Sequence, residues 1–161
     1  MTHHDRLAIH EFIHAWWFNY DEGHLDRLAP LLADECRVTS RTERGDHPYE
    51  KFIASDSYGC DAAFAWIRDH RQHSPYPLRH NSTNIFVAAE RGDEVDVESY
   101  LFVTRIDERR PSTLSSGLVH WTLRRTGSGS YQVVKKETVL DSIESVPFES
   151  VPEVSGRMAR W

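Results

Sequence analysis

The sequence changes its hydrophobic period near its midpoint, and that change limits the fold more than any other feature. Before residue 74 the apolar residues recur at helical spacing. Ile9, Ile13, Trp16 and Tyr20 stand four, three and four apart, which puts them on one face of a helix over residues 5–20. Thr2 with Asp5 is a weak capping box at its start, and Gly23 suits a cap at its end. A short helix over 24–33 presents Leu25, Leu28, Leu31 and Leu32, with Pro30 keeping it short or kinked. Residues 36–40 read as a first strand, 41–58 mostly as loop, and 60–72 as a helix with Ala63, Phe64, Ile67 and Arg71 on one face. Pro75 and Pro77 end that helix.

Beyond them the pattern alternates. Arg79–Ala88, Glu94–Ile106, Thr113–Arg125 and Tyr131–Leu140 are β-rich runs separated by turn signals. Val95, Val97, Ser99, Leu101 and Val103 show the period of two. Helices first and an antiparallel meander later predict an α+β domain, with the N-terminal helices packed on one face of a curved, mostly antiparallel sheet. Residues 1–141 are expected to form that single domain, and residues 142–161, with Pro147 and Pro152, a tail that packs on it or extends from it.

Composition narrows the function classes. The net charge of −6 argues against nucleic acid, whose partners are normally basic. No apolar run is long enough to span a membrane. The N-terminus lacks the pattern of a signal peptide. Two cysteines, Cys36 and Cys60, are too few for a disulfide scaffold, so a reduced, cytoplasmic setting is expected. Both read as inert core or helix-start residues. Ten histidines are more than such a domain needs, and histidine titrates near neutral pH and binds metals.

His10-Glu11-Phe12-Ile13-His14 matches the H-E-x-x-H pattern, in which two histidines on one helix face hold zinc. The further ligand of the extended motif is absent after His14, and the helix must bury its apolar face against a sheet. His10 and His14 are therefore read as flanking the core, with no metal expected.

Two other stretches carry the proposed chemistry. One is Phe18-Asn19-Tyr20-Asp21, leading into the leucine-bearing short helix. The other is Arg79-His80-Asn81-Ser82-Thr83-Asn84, opening the first long strand. In this order, continuing through Gly92-Asp93, Val97-x-Ser99 and Gly117–Leu123 paired with Tyr131–Val139, the chain resembles the nuclear-transport-factor-2-like (SnoaL-like) superfamily. The resemblance covers about residues 5–141. It is closest to the scytalone dehydratase and hexachlorocyclohexane dehydrochlorinase type.

That resemblance implies a cone-shaped α+β barrel holding a small hydrophobic molecule, and an Asp–His acid/base dyad mapped onto Asp21 and His80. Tyr20 matches the Tyr before the dehydratase's Asp. Thr83 and Asn84 match the dehydrochlorinase's His-x-x-Thr-Asn segment. Lys136 falls where that family has an Arg able to stabilise departing negative charge. The dehydratase's second His has no counterpart in Ser112–Ser116, and Ser40 stands in place of a pocket Tyr. Trp16, Trp17 and Trp66 suit the core or the cavity wall. Ser99 and His120 are further candidates for contact with substrate. His3, His4, His24, His47, His70 and His73 are expected at the surface.

The residue types fit β-elimination. A neutral histidine removes a proton, and a carboxylate on its other nitrogen fixes the tautomer and stabilises the imidazolium. The expected function is a cofactor-free lyase or isomerase. The competing readings are a non-catalytic subunit resembling the small β-subunit of a ring-hydroxylating dioxygenase, a small-molecule binder or polyketide-cyclase relative, and a zinc hydrolase. A homo-oligomer, dimer or trimer, is implied by the resemblance alone.

Overall fold

The computed structural model describes residues 2–127, 129–147 and 150. Helix α1 runs His3–Asp21. It starts on a full capping box: the Asp5 N–H donates to Thr2 Oγ1 and the Thr2 N–H donates to Asp5 Oδ2. Ile9, Ile13, Trp16, Trp17 and Tyr20 are buried, while His10, Glu11 and His14 face solvent. The helix ends in a Schellman motif. The His24 N–H donates to the Asn19 carbonyl at 2.8 Å and the Gly23 N–H to the Tyr20 carbonyl at 3.1 Å. Gly23 has φ +71°, a left-handed conformation that glycine adopts without strain. This stop leaves Asp21 as the last helical residue.

The short helix splits into α2 (Leu25–Leu28) and a 3₁₀ turn over Ala29–Leu31 that contains Pro30. Strand β1 (Leu32–Thr42) is longer than the apolar run alone suggests. The segment read as loop holds two elements, α3 (Glu50–Ile53) and β2 (Ser55–Tyr58). Their few polar residues show no period, but β2 pairs with β1 and takes its conformation from that neighbour. Helix α4 (Cys60–His73) begins after Gly59, and Cys36 lies buried close to its first residue. Strands β3 (Leu78–Arg91), β4 (Glu94–Asp107), β5 (Arg110–Arg125) and β6 (Tyr131–Leu140) form the meander.

The six strands lie in the order β2-β1-β6-β5-β4-β3. All neighbours are antiparallel except β1 and β6. Register shifts interrupt β1/β6, β3/β4, β4/β5 and β5/β6, and such bulges bend a sheet. The sheet curves but stays open between its edge strands, so the expected cone is an unclosed one. Helix α1 packs on β3 and α4 on β1, and together they cover the concave face. Among the described residues no helix is long and apolar enough to cross a membrane. The tail beyond residue 147, Ser150 apart, lies outside the described residues.

Gly117 on β5 marks a close approach of two strands. A Cβ there would fall on the Val139 carbonyl oxygen of β6, and backbone cannot move aside as a side chain can. Gly117→Ala is therefore expected to cost about 1–3 kcal/mol, read as a lowered midpoint in chemical denaturation.

Candidate active site

A cavity of about 290 Å³ opens between the concave sheet face, α1 and α4. That is near the lower end of the range for small-molecule sites, roughly 300–1,000 Å³. Its walls are mostly apolar: Trp16 and Trp17 from α1, Trp66 and Ile67 from α4, Leu101 and Val103 from β4. Tyr49, Phe52 and Ile53 also contribute, all from the segment read as loop. The polar groups on the wall include Tyr20, Ser40, His70, His80 and Lys136.

His80 and Asp21 meet although 59 positions separate them. His80 Nδ1 lies 2.5 Å from Asp21 Oδ1, and the His80 backbone N–H donates to Asp21 Oδ2 at 2.8 Å. Strand β3 is a sheet edge, so that N–H is free to turn toward a side chain. Both side chains are nearly buried, at 9% and 6% exposed. The Trp17 indole stacks on the imidazole at 4.6 Å between ring centres and 5° between planes. The Tyr20 ring meets it edge-on at 5.1 Å. These contacts hold the ring while Asp21, outside the cavity wall, sits behind it.

The carboxylate accepts from Nδ1–H, which leaves Nε2 with its lone pair. Burial pulls the His80 pKa below the ordinary histidine range, and Lys136 and Arg71 add to that. Asp21 pulls the other way without reversing it. His80 is thus a neutral base at pH 7.

A second pair stands beside the first. The Tyr20 hydroxyl lies 2.5 Å from His70 Nδ1. Burial holds the phenol protonated, well above its usual range, and pushes His70 down to about 4. The hydroxyl therefore donates to Nδ1, and the His70 proton sits on Nε2. That nitrogen is buried with no hydrogen-bond partner among the described residues. Trp66 stacks on the ring at 4.9 Å and Phe52 lies against it at 4.8 Å. His70 was expected at the surface, and the structure corrects this. The signal was present in the sequence: His70 follows Ile67 by three and Trp66 by four, continuing the inward stripe of α4.

Arg71 next to it is 8% exposed and clamps the end of α1. Its Nε donates to the Tyr20 carbonyl at 2.9 Å and its Nη2 to the Asp21 carbonyl at 2.7 Å. Its Nη1 reaches the Pro75 carbonyl at 3.2 Å. The last carbonyls of a helix lack partners within it and carry partial negative charge, and the guanidinium answers both needs.

Lys136 on β6 is buried on the cavity wall. Its Nζ donates to Thr138 Oγ1 at 2.7 Å and lies 4.8 Å and 5.4 Å from the ring centres of Trp17 and Trp121. Burial pushes its pKa down to about 7. Cation–π contact favours the charged form by roughly 0.5–2 kcal/mol. The move from an ordinary 10.5 represents about 5 kcal/mol, so burial dominates. The unfolded chain then holds more protons than the folded one between about pH 7 and 10.5, and stability rises with pH there. From pH 7 to pH 9 the gain is expected to be about 2 kcal/mol. It should vanish in Lys136→Met, as denaturant midpoints at the two pH values would show.

Four sequence candidates lie elsewhere. Thr83 and Asn84 are exposed, where the β3/β4 register shifts and Asn84 has φ +53°. Regular alternation from His80 puts Thr83 on the opposite face, and the bulge that follows leaves Asn84 off the cavity wall as well. Ser99 is buried and accepts from Trp121 Nε1 at 3.4 Å, a contact within the core. His120 pairs with Glu98 across the β4/β5 ladder. Its neighbours Val119 and Trp121 point inward, so strand alternation puts His120 on the other face.

Comparison with known proteins gives the same fold. An NTF2-like protein with a cystatin-like fold from Novosphingobium aromaticivorans shares 19% identity over 98% of this chain and 90% of its own, with a TM-score of 0.70. A candidate scytalone dehydratase from the same organism shares 17% over 92% and 95%, with a TM-score of 0.67. The β subunit of a candidate aromatic-ring-hydroxylating dioxygenase, again from that organism, shares 17% over 90% and 94%, with a TM-score of 0.65. No curated protein sequence matches. The SnoaL-like domain family matches residues 1–136, most of the chain and a stretch that includes Asp21, His70, His80 and Lys136, and the protein belongs to that family.

Proposed function

We propose that this protein is a cofactor-free lyase or isomerase acting on a small, hydrophobic, cyclic molecule held in the cavity. His80 removes a proton beside an activating group. Asp21 holds the ring in the reactive tautomer and stabilises the imidazolium as it forms. Lys136, on the same wall, offsets negative charge developing on the substrate. The observation that carries this reading is the His80 ring on the cavity wall with the Asp21 carboxylate behind it at 2.5 Å. Water exclusion by the surrounding tryptophans strengthens that pairing.

The alternative, a structural subunit like the dioxygenase β subunit, expects a core filled by side chains. The open cavity favours the enzyme. The test is a panel of cyclic β-hydroxy- and β-halo-carbonyl compounds in D₂O, followed by NMR. Loss of water or halide, or exchange of the α-proton, is expected for at least one of them. A panel left wholly unchanged would remove the support for proton abstraction.

A further inference from the structure

The chain has three lysines, Lys51, Lys135 and Lys136. The first two are exposed, and the third is buried against the cavity. A lysine enclosed for structural reasons normally pairs with a carboxylate. Lys136 instead meets two indole faces and one hydroxyl. Among the described residues no ion pair holds it, while its neighbour Lys135 pairs with Glu137.

We propose that Lys136 is a nucleophile that captures an aldehyde or ketone substrate as an imine on Nζ. This rests on the reading above in taking the cavity as a small-molecule site. The Nζ lone pair attacks the carbonyl carbon, a C–N bond forms, and the carbonyl π pair moves to oxygen. Oxygen gains one proton as nitrogen loses one, giving a carbinolamine. The nitrogen lone pair then expels the hydroxyl, which leaves as water with the second nitrogen proton. No oxidant or reductant enters. Once protonated, the imine draws electrons from the adjacent carbon and acidifies the C–H that His80 would remove. Apolar surroundings favour the uncharged amine that this step needs. The substrate class is therefore a carbonyl compound small enough for the cavity.

The test uses the full chain with sodium cyanoborohydride at neutral pH and, separately, benzaldehyde and acetaldehyde, followed by peptide mass mapping. Lys136 is expected to be labelled at least about tenfold faster than Lys51 and Lys135. Lys136→Arg, with unchanged circular dichroism, should lose the fast adduct. His80→Ala should keep it, which separates this proposal from the elimination chemistry. Labelling of Lys136 by neither aldehyde, or no faster than the two exposed lysines in the folded protein, would overturn it.

Discussion

His80→Ala is expected to lower turnover roughly 10²–10⁴-fold, the range for a positioned general base. Asp21→Asn should do comparable damage by another route. An amide in its place can donate to Nδ1, which favours the tautomer with its proton on Nε2. That loss is about 10⁴-fold where a carboxylate holds a catalytic histidine. The two effects should not add, because the residues act as one unit. The rate for wild type should also fall with acidity only below the ordinary histidine range, because burial pulls the His80 pKa down. Steady-state kinetics on whichever substrate the panel identifies, with circular dichroism to confirm folding, measures all of this. Full activity in both variants would refute the dyad.

Arg71→Met is expected to be the most damaging change to stability, at about 3–5 kcal/mol. The guanidinium bonds the carbonyls of Tyr20, Asp21 and Pro75, and methionine fills the space without replacing any donor. For a domain of this size the melting temperature should drop by about 6–20 °C. Arg71→Lys should recover only part, because an ammonium is a point donor and cannot span three carbonyls. The same clamp fixes the end of α1, so both variants should also lose activity beyond what unfolding explains. A melting temperature within about 2 °C of wild type in Arg71→Met would show that the clamp adds little.

The elements and the site were legible to different degrees. Helix α1 could be read almost to its ends, since the capping box, the apolar stripe and Gly23 are local signals. The meander was legible for the same reason, because alternation and turns are written over a few residues each. The segment over 41–58 was not, since β2 is a strand only by virtue of pairing with β1. The pairing of Asp21 with His80 followed from a resemblance, not from spacing, and the structure brings the two together. His70 was read as a surface residue and Arg71 was placed on the inward face without a role, because a polar residue on an inward stripe looks like an interruption until its partners are known. Thr83 and Asn84 carried a family pattern, but strand alternation from His80 and the bulge at Asn84 leave both off the cavity wall.

The sequence by itself determined the α+β class and the stop that makes Asp21 the last residue of its helix. Those features depend on neighbours within a few positions. The tertiary structure decided which polar groups share the cavity, and what their protons do. His70, His80 and Lys136 come from a helix, an edge strand and a central strand. Their pKa values are displaced because these elements enclose them together, and no local pattern encodes the water that the surrounding tryptophans exclude.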